Sequence, residues 1–144
     1  MSETIRRLTI DDFDDIMRVW SDSGLPIRPD GRERRATFAK EIALPQVAVF
    51  GLLEDGRMLA VGIANWDGRR GWINRVAVDP DHRGRGLAGK IIRECEAFLK
   101  DCGALAIAAL IEDINYPSIT AFQKEGFQCL REILYFSKYA FPGA

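Results

Sequence analysis

Apolar and polar positions alternate along the chain with two periods, one typical of helices and the other of strands. Apolar residues three and four positions apart predict amphipathic helices over Phe13–Trp20 and Leu87–Cys102. Alternating or β-branched apolar runs predict strands at 46–54, 57–66 and 72–78, and an Asp-Gly turn separates each run from the next. The three runs therefore predict an antiparallel meander.

Weaker signals complete the order of elements. A short strand is predicted at 4–8 and a second helix at 32–43. The almost continuously apolar run at 104–111 predicts a strand buried on both faces. A last helix follows Asn115, and a final strand is predicted at 127–139. The order β-α-α-β-β-β-α-β-α-β predicts an α/β (α+β) fold with a central mixed sheet and helices on both of its faces. Within that sheet, an antiparallel N-terminal meander is followed by a parallel crossover pair.

Composition and charge narrow the class of protein. The 144 residues are 47% apolar and 28% charged, which is ordinary for a globular chain, and we expect residues 1–144 to form a single domain. The net charge of −1 gives no overall attraction to nucleic acid or to an anionic membrane. Neither a secretory signal nor an apolar run of about 20 residues is present. We therefore expect a cytoplasmic protein with neither nucleic-acid nor membrane partners.

Cysteine and histidine content argues against a metal site. The chain has three cysteines, Cys95, Cys102 and Cys129, and no C-x-x-C pair, so neither a disulfide framework nor a zinc site is indicated. His82 is the only histidine, which leaves little scope for a His-based catalytic triad or a histidine-rich metal site. We expect no metal, and we expect the cysteines to pack as small apolar residues.

A glycine-rich turn between the third meander strand and the long helix is the strongest local signal. Its residues are Arg83, Gly84, Arg85, Gly86, Leu87, Ala88 and Gly89. Glycines let a ligand approach the backbone, the first N–H groups of the helix attract phosphate oxygens, and the arginines add positive charge. The turn alone is also compatible with a solvated strand-to-helix turn whose arginines lie in water.

Two nucleotide motifs also match this turn. Gly84, Gly86 and Gly89 fit G-x-G-x-x-G, but the preceding meander is unlike the βαβ unit in which that fingerprint binds dinucleotides. Gly84, Gly89 and Lys90 fit G-x-x-x-x-G-K, but Ile91 stands where a phosphate-binding loop needs a hydroxyl for magnesium. Context therefore disfavours both motifs.

Two blocks around the turn resemble the GNAT superfamily of N-acetyltransferases. A strand at 76–78 is followed by R/Q-x-x-G-x-G/A at Arg83, Gly86 and Ala88, and 115–127 resembles the family's N-x-x-A-I-x-L-Y-x-K-x-G-F helix. The resemblance implies a GNAT-like sheet, with acetyl-CoA as the acetyl donor and an amine as the acceptor. It implies acetyl transfer to a primary amine of a small molecule or a peptide N-terminus, by direct attack in a ternary complex.

The resemblance also assigns residues to acetyl-CoA. Those expected to contact it are Val76, Ala77, Val78, Arg83, Gly84, Arg85, Gly86, Leu87, Ala88, Gly89, Asn115 and Phe122. The backbone N–H of Val78 would polarise the thioester carbonyl, and such a donor contributes about 3 to 4 kcal/mol in acyl transfers. Asn115 would contact the pantetheine or the acetyl end, and it is equally suited to cap the helix that follows.

Two positions depart from the family pattern. Phe122 stands where many members have a tyrosine that protonates the leaving thiolate, and Leu110 stands where an acid is frequent. A thiol with a pKa of about 8.5 leaves acceptably as an anion, whereas a protonated amine needs a base worth about 10²- to 10⁴-fold. Glu112 is the candidate base, with Asp113 and Asp67 as alternatives. A second hypothesis, a non-catalytic acyl-CoA-binding module, stays open.

The acceptor and the oligomeric state are less well marked. In the family the acceptor enters beside the first two helices and their connecting loop. Arg28 and Arg32 in that loop could bind a carboxylate or phosphate, and Trp66 could line the groove, although solvated arginines and a packed strand aromatic are the plain alternatives. The predicted C-terminal strand at 132–139 could present an edge to the second subunit of a homodimer.

Overall fold

A five-stranded mixed sheet forms the centre of the computed structural model, which describes residues 2–142. The strands, in spatial and chain order, are β1 (Glu3–Arg7), β2 (Val47–Glu54), β3 (Arg57–Trp66), β4 (Gly71–Val78) and β5 (Ile107–Ala108). The first four strands form an antiparallel series, in which β1 pairs with β2, β2 with β3 and β3 with β4, and β5 runs parallel to β4. The predicted meander and the crossover to a parallel strand are confirmed.

Helices cover both faces of the sheet, as the sequence predicts. The helices are α1 (Phe13–Asp22), α2 (Arg35–Ile42), α3 (Leu87–Cys102) and α4 (Tyr116–Lys124). One core lies under α1 and α2, where Ile16, Trp20 and Phe38 pack against apolar side chains of the meander. The other lies under α3 and α4, which contribute Ile91 and Phe122 among others. None of the helices in residues 2–142 is long and apolar enough to cross a bilayer.

A bulge interrupts the pairing of β4 with β3, and β4 pairs with β5 only at Gly71 and Trp72. Val61 pairs with Ala77 and Ile63 pairs with Asn74, so Arg75 and the residue after it together oppose a single glycine of β3. That glycine, Gly62, allows a close approach of α3, because a Cβ there would lie 2.6 Å from Cγ2 of Ile91. Beyond the bulge, β4 has a paired edge on one side only.

Two predicted elements are shorter than the sequence indicates. The helix expected over 32–43 begins at Arg35, because Glu33 turns inward and its carboxylate accepts the backbone N–H of Arg28 at 2.6 Å. The strand expected over 104–111 is reduced to β5, which is only half-buried, and the Leu105 side chain is fully exposed. The expectation of burial on both faces was wrong, because only two residues, Ile107 and Ala108, pair with β4, and both are only half-buried.

The final strand predicted at 127–139, including the edge at 132–139, is absent from the part of the chain that the structure describes. The backbone N–H of Phe127 turns back to the carbonyl of Phe122, and the two rings pack edge to face at 5.0 Å. After this turn, the two-residue edge of β5 offers too few hydrogen-bonding groups to hold a further strand. Residues 128–142 are therefore exposed.

Candidate functional site

A cleft of about 540 Å³ lies between the end of β4, the glycine-rich turn, the start of α3 and the face of α4. Most residues that the sequence assigns to acetyl-CoA border it. They are Val76, Ala77, Val78, Arg83, Gly84, Gly86, Leu87, Ala88, Gly89 and Asn115. Arg85 and Phe122 do not border this cleft.

The wall formed by β4 presents backbone groups that no other strand within residues 2–142 uses. The N–H of Asp79 donates to the carbonyl of Leu59 on β3 at 2.7 Å. Since strand residues alternate in direction, the N–H and C=O of Val78 face away from β3, toward the cleft. Val76 has the same orientation, and its carbonyl is 3.5 Å from the Ser118 hydroxyl of α4. An extended ligand could thus pair with β4 as a strand would.

The glycine-rich turn is shaped to receive an anion. Gly84 and Gly86 have φ of +79° and +75°, a region that favours glycine, and a Cβ on either would stand in open space. Gly86 precedes the 16-residue helix α3, and no side chain caps its first turn. The free N–H groups and positive end of the helix dipole therefore face the cleft. This donor set fits the pyrophosphate of CoA.

Some cationic side chains around the cleft form ion pairs with acidic side chains in the described part of the chain, and others do not. Arg85 is paired with Glu54, Lys90 with Glu3 at 2.6 Å, and Arg93 with Glu125 at 2.7 Å. Arg83, in contrast, donates only to the carbonyl of Ser23, at 3.3 Å. Lys124 also borders the cleft and forms no ion pair with any residue in 2–142. The unbalanced positive charge at the cleft thus lies on Arg83 and Lys124.

Helix α4 forms the opposite wall. The side chain of Asn115 caps the helix by accepting the N–H of Ser118 at 3.3 Å, so the capping role expected for it is confirmed. Asn115 also borders the cleft, which leaves its proposed contact with the ligand available. Sequence reasoning missed the hydroxyl of Ser118, because a serine near a helix start carries no signal beyond its helix-capping chemistry.

A second, smaller cavity of about 110 Å³ adjoins the cleft and shares Leu25, Val76, Asn115 and Ser118 with it. Its other walls come from the α1–α2 loop, the bulged part of β4, the segment after β5 and the buried ring of Phe122. Both Leu110 and Glu112 border this cavity. The candidate base therefore lies beside the edge of β4 and not in the main cleft.

The other predicted site residues lie outside both cavities. Arg28 and Arg32 are exposed, and Nε of Arg32 is 4.0 Å from the Glu33 carboxylate. Trp66 is half-buried and packs against the core under α3. Asp113 is exposed and borders neither cavity. The contacts predicted for the first three with an acceptor stay predictions.

Asp67, the remaining alternative base, is occupied by a turn. Its carboxylate accepts the backbone N–H groups of Arg69 and Arg70 at 2.8 and 2.7 Å and the indole N–H of Trp72 at 3.0 Å. The N–H of Arg70, then the indole of Trp72 and the N–H of Arg69, lower the pKa of Asp67 to about 2. A carboxylate held in this way is a weak base, and it lies at the opposite end of β4 from Val78.

A buried acid that sequence reasoning missed anchors the approach to the glycine-rich turn. The side chain of Asp79 is only 4% exposed, and its oxygens lie 2.9 Å from the N–H of Asp81 and 3.3 Å from Arg57. Arg18 and His82 approach to 3.6 and 3.5 Å. Burial by itself would raise the pKa of Asp79, but the hydrogen bonds, first that of Asp81, lower it overall. The Asp79-Pro80 pair at the end of a predicted strand is the sequence signal that could have indicated a capped turn here.

The described part of the chain offers no metal centre, since among residues 2–142 no three His, Cys, Asp or Glu side chains come together as ligands. Cys95 is buried against the core under α3, as expected for a small apolar residue, whereas Cys129 is exposed.

Comparisons with known proteins agree with this geometry. An acetyltransferase of Sodalis glossinidius (strain morsitans) is 26% identical over 125 residues, 86% of this chain and 80% of that protein. The streptothricin acetyltransferase of Streptomyces lavendulae is 27% identical over 112 residues, 78% of this chain and 57% of that protein.

Solved structures share the fold at lower identity. The PaiA N-acetyltransferase of Thermoplasma acidophilum, in complex with coenzyme A, has a TM-score of 0.78 at 18% identity, covering 89% of this chain and 91% of its own. The aminoglycoside N-acetyltransferase AAC(6')-Iy, in complex with the bisubstrate analogue CoA-S-monomethyl-acetylneamine, has a TM-score of 0.80 at 18% identity, covering 96% and 99%. The model of the acetyltransferase (GNAT) family matches residues 12–127. The chain belongs to this family and is an acetyl-CoA-dependent N-acetyltransferase.

Proposed function

We propose that the protein transfers the acetyl group of acetyl-CoA to a primary amine of a small molecule or a peptide N-terminus, by direct attack while both substrates are bound. Bound in the cleft, acetyl-CoA supplies an acyl group activated as a thioester. The amine nitrogen forms a bond to the acetyl carbon as the carbon–sulfur bond breaks. The sulfur leaves as a thiolate, and the proton of the amine passes to a base of this chain or to water.

The observation that carries this proposal is the free edge of β4 next to the glycine-rich turn. Val76 and Val78 point their backbone groups into the cleft, and the N-terminus of α3 opens onto the same space. The first feature suits an extended amide-containing chain, and the second suits a diphosphate, which are the two parts of the CoA arm. In this proposal the N–H of Val78 polarises the acetyl carbonyl.

Glu112 is the residue we propose as the base, directly or through one water. It borders the small cavity together with Val76, and hence lies on the side of β4 from which an amine can approach. Phe122 provides no proton for the leaving thiolate, and a thiol of pKa about 8.5 does not require one near neutral pH. The chemistry then rests on one carboxylate and on backbone donors.

The names of similar proteins are compatible with a small-molecule acceptor. Streptothricin acetyltransferase and the aminoglycoside N-acetyltransferase are named for small-molecule acceptors. The cavity of about 110 Å³ next to the cleft has room for the amine-bearing end of an acceptor. Arg28 and Arg32, on the loop above, stay in the proposal as outer contacts for a larger acceptor.

The proposal is tested in two steps. Acetyl-CoA is first titrated by thermal shift and calorimetry, and at a hundred times its Kd it should add about 2.7 kcal/mol of stability. Thiol release is then followed with amines, amino acids, polyamines and peptides. Binding with turnover of any amine supports the proposal, whereas binding without turnover identifies a non-catalytic acyl-CoA-binding module. A shift with NAD or ATP instead of acetyl-CoA would overturn both readings.

We also propose that the protein is a homodimer. The segment 130–141 exposes large apolar side chains, which are Leu130, Ile133, Leu134, Tyr135, Phe136, Tyr139 and Phe141. So many exposed apolar groups in one segment favour cover by another molecule. Light scattering of the full chain tests this, and a monomeric mass at all concentrations would exclude it.

A further inference from the structure

Arg75 occupies the bulge of β4 and is held from several sides. Its φ of +58° lies in the left-handed region, which a long side chain adopts only where the surroundings hold it. The indole N–H of Trp20 donates to the carbonyl of Arg75 at 2.8 Å, and the guanidinium lies over the same indole, 4.7 Å from the ring centroid. Nη2 donates to the carbonyl of Pro26 at 2.7 Å. The side chain is thus fixed in place before any ligand binds.

The positive charge of Arg75 is not fully balanced. Its Nε is buried and has no acceptor among residues 2–142, and none of the ion pairs in that range includes Arg75. Burial lowers the pKa of Arg75 in spite of attraction to Glu33, Glu41 and Glu112. A fixed guanidinium that these carboxylates attract but that forms no direct ion pair among residues 2–142 is suited to bind an anion, above all a planar carboxylate.

Arg75 and Glu112 border the same small cavity. Arg75 lies on the β4 side, and Glu112 lies on the segment that follows β5. Between them the cavity reaches Val76, whose carbonyl faces the same way as the N–H of Val78. A volume of about 110 Å³ accommodates only a few heavy atoms. A molecule whose amine and carboxylate are carried by the same carbon, or by two adjacent carbons, would offer a group of matching charge to each residue within that space.

We propose that the small cavity is the acceptor subsite and that Arg75 binds a carboxylate of the acceptor. The preferred acceptor class is then a small amino acid, whose amine lies toward Glu112 and Val78 while its carboxylate lies on the guanidinium. This inference rests on the proposed acetyl transfer and names the substrate of the same site. It assigns Arg75 a direct contact with the acceptor, whereas Trp20 supports the bulge through its hydrogen bond to the carbonyl of Arg75.

The class is tested with matched pairs of amines. Glycine, alanine and β-alanine are compared with glycinamide, alaninamide and putrescine, at one acetyl-CoA concentration, by thiol release. We expect kcat/KM at least tenfold higher for the free carboxylates than for their amides, because the amide forfeits the charged hydrogen bonds. Equal rates for an acid and its amide, or a preference for putrescine, would overturn the inference and leave the acetyl transfer itself intact.

Variants of Arg75 separate binding from folding. Arg75→Gln should raise KM for the amino acid at least tenfold and leave KM for its amide within about twofold. Arg75→Lys keeps the charge but loses the planar guanidinium, so its KM for the amino acid should lie between that of the unsubstituted protein and that of Arg75→Gln. The control is Arg69→Gln, an exposed arginine that borders neither cavity. Retention of the acetyl-CoA thermal shift shows that each variant is folded.

A binding measurement covers the case in which no amine is acetylated. Glycine and alanine are titrated calorimetrically into the protein saturated with CoA. Binding that Arg75→Gln weakens at least tenfold supports the subsite even if the proposed turnover fails. Two results would refute the subsite: equal binding of the amino acid to the unsubstituted protein and to the Arg75→Gln variant, or no binding of the amino acid to the unsubstituted protein.

Discussion

Asp79 accepts the side-chain hydrogen bond of Arg57 across the end of the sheet, at 3.3 Å, immediately before the glycine-rich turn. The same carboxylate caps the short 3₁₀ turn Pro80–His82 through the N–H of Asp81. The entrance to the ligand cleft is therefore fixed by one buried charge. The geometry of the turn depends on this charge as well as on its glycines.

Replacing Asp79 by asparagine should lower the free energy of unfolding at neutral pH. The free energy of unfolding of the variant should also fall less as the pH is lowered. Asparagine keeps the shape but loses the charge that balances Arg57, and we expect a loss of about 1 to 3 kcal/mol at pH 7. Because the folded-state pKa of Asp79 is lowered overall, its contribution is complete above the ordinary value of about 3.9 and is lost as the pH falls through the folded value.

Urea unfolding at several pH values checks this. The difference between the protein and its Asp79→Asn variant should be constant above about pH 5 and shrink below about pH 4. Asp81→Asn is the matched control, since Asp81 is exposed and contributes only its backbone N–H. A difference that persists unchanged into acid would show that the charge of Asp79 is not what stabilises the turn.

Gly86 should be required for binding and not only for folding. Gly86→Ala places a Cβ at a φ of +75°, which costs about 1 to 2 kcal/mol, and directs a methyl group to the start of α3 where phosphate oxygens would approach. We expect Kd for acetyl-CoA to rise at least tenfold, measured by calorimetry.

The control for Gly86 is Gly56→Ala. Gly56 has a similar φ of +84°, equally open surroundings for a Cβ, and a position in the β2–β3 hairpin away from the cleft. Both substitutions should cost comparable stability, and only the first should weaken acetyl-CoA binding. A comparable rise in Kd for both variants would mean that the turn contributes through stability alone.

The Asp67 carboxylate should titrate far below an ordinary aspartate. Two backbone N–H groups and the indole of Trp72 hold its pKa at about 2, so the ion stabilises the β3–β4 turn above about pH 4 and the effect is lost as the pH falls toward 2. Carbon-detected NMR titration of the carboxylate measures the value. Trp72→Phe removes one donor and should move the pKa upward; a midpoint near 4 in the unsubstituted protein would contradict the hydrogen-bonding pattern.

Much of this fold is readable from local sequence signals. The long helix α3 begins at Leu87 after a glycine and ends at Cys102 before Gly103, whose φ is +107°, so pattern and caps agree. The hairpin strand β3 likewise has the predicted bounds. In contrast, the strand predicted at 127–139 depended on a partner edge, and β5 offers one of only two residues. Apolar pattern alone does not supply such a partner.

Some features of the candidate site can likewise be predicted from local sequence, whereas others depend on contacts between distant parts of the chain. Backbone features such as the turn and the strand at 76–78 have a sequence signature, because glycine and alternation are local. Arg75 has none, since an arginine with positive φ follows from a bulge and from contacts with Trp20 and Pro26, which lie far away in the chain. Sequence-based reasoning chose Arg28 and Arg32 for the same anionic group because loop arginines are visible without a structure.

Glu112 should be needed for turnover but not for donor binding. Glu112→Gln removes the base next to the β4 edge, so kcat/KM for the best amine should fall about 10²-fold or more at pH 7. The loss should shrink as the pH rises above the pKa of the amine, because the acceptor then arrives deprotonated. Thiol release from pH 6 to 10 measures both effects, while Kd for acetyl-CoA should stay within about twofold.

The neighbouring Asp113→Asn supplies the control for Glu112, since Asp113 is exposed on the same segment and borders neither cavity. It changes the local charge by the same amount without removing a group from the acceptor side. If both variants lose activity equally, the effect is one of net charge near the cleft. If Glu112→Gln retains full activity at pH 7, the proton leaves to water, and the backbone donor at Val78 carries the catalysis without a side-chain base.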